Sequence, residues 1–146
     1  MGSEFASGNE HEEMSKYLVD TTILIDHLRG NIKAKQFIEE QQPYVSTITI
    51  AELVQGARDK NELKSVRQLC GSLHEVSIDK KVSKRGIALL FDLHLSCGLM
   101  FLDALIAATA LENNLLLITG NIKHFNKIDS LQLVSQEELF KKYRLA

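Results

Sequence analysis

Five short apolar runs, each bounded by polar or turn-forming residues, alternate with longer stretches in which apolar side chains recur every three to four positions. The runs at 17–19, 44–46, 74–78, 115–118 and 131–134 predict strands. The fourth is the most continuously apolar, which predicts a central strand covered on both faces. The longer stretches predict helices at 22–29, 32–41, 48–58, 61–70, 80–97 and 103–113. Ser135, with Glu138 three residues on, makes a capping box ahead of Leu139 and Phe140, so a last helix should follow the fifth strand. Punctuation agrees: Gly30 closes the first helix, Pro43 precedes the second strand and Gly98 ends the longest helix.

This alternation predicts an α/β fold, a three-layer α/β/α sandwich around a mainly parallel five-stranded sheet. Ligands of such open sheets bind beyond the carboxyl ends of the strands. Asp20 directly follows the first strand, and Thr119, Gly120 and Asn121 directly follow the fourth. A site is therefore expected there.

Residues 1–13, MGSEFASGNEHEE, have no apolar period and read as a cloning-derived or disordered leader, with 14–146 forming one domain that starts at Met14. Removing the leader changes the charge. The full chain has 17 basic and 19 acidic side chains, but Glu4, Glu10, Glu12 and Glu13 fall in the leader, leaving 17 against 15, a net +2. That excess permits nucleic-acid binding without arguing for it. Cys70 and Cys97 form no CxxC pair and lie in apolar helical stretches, so buried thiols in a reducing compartment are expected. The most apolar segment, 99–111, is interrupted by Asp103 and is too short to span a bilayer. A cytoplasmic protein without membrane association is expected.

Four stretches carry the candidate chemistry: VDTTILID with Asp20, AELVQGA with Glu52, FLDALIAATAL with Asp103, and LLLITGN ending at Asn121. Each carboxylate has an ordinary alternative role. Asp20 is a good N-cap for the helix that follows it. Glu52 could close a Thr49-x-x-Glu52 capping box, although Ser46 and Thr47 are equally good caps further upstream. Asp103 would gain from the dipole of the helix it begins. Yet Glu52 and Asp103 sit among apolar residues, where a carboxylate needs a partner, and three converging carboxylates repel one another unless a cation lies between them. An all-oxygen set suits Mg²⁺ or Mn²⁺ rather than zinc. His27, His74 and His94 lie on separate elements with no metal-ligand spacing; His124, three residues past Asn121, is placed to touch substrate or orient a water.

These residues, in this order, resemble the PIN-domain ribonucleases, especially the small VapC-like toxins of prokaryotic toxin-antitoxin pairs. The likeness covers nearly all of 14–146. It implies that Asp20, Glu52 and Asp103 are the three acidic positions and metal ligands, and that TGNIKHF carries the fourth polar position at Asn121. Thr22 and Thr119 match supporting hydroxyl or amide positions. His124 stands where some members place a further aspartate, which lowers the charge available to a second metal. By resemblance the activity is Mg²⁺- or Mn²⁺-dependent endoribonuclease hydrolysis of RNA phosphodiester bonds, with Asp20, Glu52, Asp103 and Asn121 catalytic. The implied partners are an RNA substrate, a cognate antitoxin protein and a second copy in a homodimer. Arg29, Lys33 and Arg58 are candidates to guide the RNA backbone.

The same residues bear on three other readings. An aspartyl phosphotransferase of the DxDxT kind fails because position 22 is threonine. A phosphoacceptor receiver needs two adjacent acidic residues after its first strand, and only Asp20 is there. The remaining alternative is a catalytically weak PIN-like scaffold acting in RNA binding or RNA processing.

Overall fold

The computed structural model describes residues 16–142. Its elements run β1 (Tyr17–Val19), α1 (Thr21–Leu28), α2 (Ile32–Gln41), β2 (Tyr44–Ser46), α3 (Thr47–Gly56), α4 (Lys60–Gly71) and β3 (His74–Val76). They continue with α5 (Lys80–Cys97), α6 (Phe101–Glu112), β4 (Leu116–Thr119), α7 (Ile122–Phe125), β5 (Leu133–Ser135) and α8 (Gln136–Phe140). The expected leader, the start at Met14 and the last four positions of the expected domain lie outside the described residues.

All the strand pairs are parallel, in the order β3-β2-β1-β4-β5. The strands' period of two separates two cores. Val19, Val45 and Ile118 join Ile23, Phe37, Leu53 and Leu69 on the face covered by α1 to α4 and α8. Leu18 and Leu117 point the other way, against Ile106, Ala107 and Phe125 of α6 and α7. Helices thus cover both faces, as the alternation predicts.

The sheet centre differs from expectation. β1 is the middle strand, and β4 is interior, paired to β1 on one side and β5 on the other. An unbroken apolar run reports burial on both faces, which β1 and β4 share; it carries no information on which is central. The chain steps from β1 outward through β2 to β3, then crosses back by α5 and α6 to lay β4 on β1's opposite side. The strand order therefore reverses at the β1/β4 boundary, where a cleft opens at the carboxyl ends.

Caps set the helix starts around that cleft. Asp20 caps α1, Ser46 caps α3 and accepts from the Ile48 amide, and Ser135 caps α8 by accepting from the Glu138 amide. Gly98 ends α5 with φ +75°, donating its N–H to the His94 carbonyl. The cysteine expectation needs correction: Cys70 is half-buried and Cys97 is exposed. α5 is apolar along much of its length but packs one side on α6, leaving Phe91 87% and Leu95 97% exposed on the other. Among the described residues no helix is long and apolar enough to cross a membrane.

Candidate metal centre

Asp20 is fixed by the strand it ends and the helix it begins. Its N–H donates to the Ile118 carbonyl at 3.0 Å, extending the β1/β4 ladder by one residue. Its Oδ1 accepts from the Thr21 amide at 2.6 Å and from the Thr21 hydroxyl at 3.0 Å. Its Oδ2 accepts from the Thr119 hydroxyl at 2.7 Å. The side chain caps α1, with the residue only 5% exposed and in no ion pair with lysine or arginine among the described residues. A nearly buried carboxylate held by hydroxyls and an amide keeps acceptor capacity for a cation.

The β4–α7 loop is tied to the same point. Thr119, fully buried, also accepts from the Asn121 amide at 2.9 Å, and Thr22 Oγ1 accepts from the Gly120 amide at 2.9 Å. A Cβ on Gly120 would lie 3.0 Å from Thr22 Oγ1, so the loop approaches α1 as closely as glycine permits. Both hydroxyls singled out in the sequence, Thr22 and Thr119, therefore position backbone and carboxylate. Thr119→Val keeps the shape and removes the hydroxyl that donates to Asp20 and accepts from the Asn121 amide. It should cost about 1–3 kcal/mol of stability, read from urea unfolding, and an unchanged midpoint would contradict this role.

Glu52 lies in the second turn of α3 with no capping duty. Ser46 is the cap, and the Thr49 hydroxyl is buried without a partner, so the Thr49–Glu52 capping box does not form. Glu52 Oε1 accepts from the Thr21 hydroxyl at 3.3 Å, across from α3 to α1. Burial pushes its carboxyl up; the Thr21 bond opposes this, and the charges of Asp20 and Asp103 add to it.

Asp103 stands in the first turn of α6, and its Oδ2 is 3.2 Å from His124 Nδ1. Burial again raises its carboxyl; His124 pulls it back and the Asp20 charge pushes it further up. The partner that a carboxylate among apolar residues needs is, for Asp103, this imidazole. α7, four residues long, brings His124 there, and four residues are too few to show a helical period. Asn121 is exposed and joins the site through its backbone, its side chain making no cap bond.

Asp20, Glu52 and Asp103 thus share one electrostatic field, since Asp20 raises the other two. They do not form a closed cage: among the described residues no three acidic, histidine or cysteine side chains make a ready ligand set. An open set of oxygen donors fits a hard divalent cation that keeps several waters and takes one or two carboxylates plus substrate. Next to the site runs a groove of about 460 Å³, floored by Ile25, Leu28 and Leu53 and flanked by Arg29 and Arg58. Arg58 there is paired with Glu62 at 2.7 Å. Lys33 lines a different cavity with Ile32 and Phe140, so it does not join them.

The model of the PIN domain matches residues 17–131, which spans all four motifs and most of the sheet. The chain belongs to the PIN-domain family. Ribonuclease VapC1 of Rickettsia felis is 30% identical over 81% of this chain and 94% of its own length. Ribonuclease VapC19 of Mycobacterium tuberculosis is 31% identical over 79% of this chain and 96% of its own. Among solved structures, a toxin-antitoxin complex from Klebsiella pneumoniae contains a chain 33% identical to this one, with a TM-score of 0.68 over 81% of this chain and 95% of that one. In this PIN domain the fourth motif ends on an exposed Asn121, and His124 just beyond it pairs with Asp103.

Sequence reasoning missed Thr21. It names Thr22 from the same DTT triplet, yet Thr21 is the residue whose hydroxyl reaches both Asp20 and Glu52. Its contact with Asp20 follows from position, since the first residue of a helix lies beside its own cap; its reach to Glu52 depends on how α1 and α3 pack.

Proposed function

We propose that this chain is a divalent-cation-dependent endoribonuclease, the toxin of a toxin-antitoxin pair, acting through Asp20, Glu52 and Asp103. The observation that carries this reading is the nearly buried Asp20 at the β1/β4 reversal, its charge felt by Glu52 and Asp103 and matched by no lysine or arginine among the described residues. Relatives named as ribonucleases and a similar chain from a toxin-antitoxin complex support the substrate and an antitoxin partner.

Asp20 and Asp103 would hold the cation, with Glu52 completing the set; bound Mg²⁺ or Mn²⁺ supplies Lewis acidity toward water and phosphoryl oxygens. Asp20 is held in place by hydrogen bonds to both of its carboxylate oxygens. Glu52 Oε2, free of hydrogen bonds among the described residues, is placed to accept the proton of the attacking water, and its raised affinity for protons suits that task. The amide of Asn121 and the imidazole of His124, just beyond β4, are assigned here to hydrogen-bond a phosphate. Arg29 lines the groove that leads away, where Arg58 is already paired with Glu62, so Arg29 is the cation offered to the RNA backbone there. Action in the cytoplasm fits an RNA substrate and two free thiols.

The test is cleavage of a defined RNA by the purified protein. We expect internal cuts with Mg²⁺ or Mn²⁺ and none with chelator; cutting in chelator would refute the reading, and RNA binding without cutting would favour the weak-scaffold alternative.

A homodimer is part of the proposal. Ile87, Phe91, Leu95, Met100, Phe101 and Leu102 make up most of the large apolar side chains left exposed among the described residues, and none is charged. Such a ridge calls for an equally apolar partner, and its own copy presents one. Phe91→Glu with Leu95→Glu should convert a dimer to a folded monomer in sedimentation; a wild-type monomer at micromolar concentration would contradict it.

A further inference from the structure

We infer that Thr21 is the positioning residue that holds the Glu52 carboxylate against Asp20 and so sets the cation affinity of the centre. This inference rests on the proposed metal-dependent reading. Asp20 is over-determined, tied through both carboxylate oxygens and its own N–H. Glu52 is not. Among the described residues its one hydrogen bond is the 3.3 Å contact from the Thr21 hydroxyl, made between two helices that the chain joins only through β2 and α2.

A hydroxyl has a single proton, and Thr21 Oγ1 faces two acceptors. Asp20 Oδ1 already takes the Thr21 amide at 2.6 Å, so the proton does more for Glu52, which has no other donor. The hydroxyl keeps the Glu52 side chain turned toward Asp20 rather than outward along the groove. Without it, like-charge repulsion from Asp20 and Asp103 acts on a side chain with three rotatable bonds and nothing to hold it. Holding the ligand in place beforehand removes an ordering cost from each binding event. The position is specific: Thr22, one residue on, is committed to the Gly120 amide instead.

The experiment titrates Mn²⁺ alone, without RNA, against wild type, Thr21→Val, Thr21→Ser and Asp20→Asn, following thermal stabilisation and equilibrium binding. Thr21→Val keeps the branched shape and the backbone bond to Asp20, and removes only the hydroxyl. It should raise the Mn²⁺ concentration for half-saturation about tenfold or more, the fold-change expected from losing a hydrogen bond to a charged group. Thr21→Ser, which restores the donor, should return to within about threefold of wild type on the same scale of effects. Wild-type affinity in Thr21→Val would overturn the inference. So would equal weakening in both Thr21 variants, since a hydroxyl would then not be the cause. If Asp20→Asn binds Mn²⁺ as well as wild type, the metal-site reading itself falls, and that result is distinct from either Thr21 outcome.

Discussion

Asp20→Asn should leave a folded protein that has lost RNA cleavage by about three orders of magnitude, the scale seen when a group central to charge stabilisation is removed. The fold survives because asparagine is as good an N-cap as aspartate. Its Oδ1 can still accept from the Thr21 amide, and its Nδ2 can donate to the Thr119 hydroxyl that formerly donated to Asp20. What disappears is the negative charge at the reversal point of the sheet. Steady-state cleavage alongside a melting curve checks this. A cleaving variant, or an unfolded one, contradicts it.

Asp103→Asn should lose activity to a similar degree while making the metal-free protein more stable. The folded-state pKa of Asp103 lies above its unfolded value, burial being the largest cause. Below the unfolded pKa both states are protonated and the penalty is absent. As pH rises from the unfolded toward the folded pKa the charged form accumulates against the fold, so at neutral pH the destabilisation is fully present. Asparagine has no charge to bury. The His124 contact at 3.2 Å is weakened in exchange, but it is the smaller influence, since the net shift remains upward. A rise of a few degrees in melting temperature in chelator, about what 1 kcal/mol produces in a domain of this size, is expected with cleavage gone. A fall in stability would mean that the His124 pair, and not burial, dominates. Gain in stability with loss of function is the usual mark of a site whose charges are held together against their repulsion.

Much of this was legible in the chain because local rules and the fold agree. The two-sided burial of β1 and β4 shows as apolar runs, the three caps at Asp20, Ser46 and Ser135 show as residue types, and the ends of those strands point to the cleft. What was not legible depends on contacts between elements distant in sequence. The spacing from Asn121 puts His124 near the site, but nothing there signals that α7 will pair it with Asp103. Nothing in DTT says which threonine reaches Glu52, because that depends on how α1 and α3 pack. The exposed face of α5 was hidden for the converse reason: an apolar helix reads as buried whether its cover is its own chain or another copy.

The central claim is that Asp20, Glu52 and Asp103 serve one divalent cation at the β1/β4 reversal. Anomalous scattering from a crystal of the protein equilibrated with Mn²⁺ tests it most directly. The expected result is a peak in direct contact with Asp20 and on the side shared by Glu52 and Asp103, absent in the Asp20→Asn crystal. A cleavage-competent protein whose Mn²⁺ lies away from Asp20, or keeps its place in Asp20→Asn, would contradict the account.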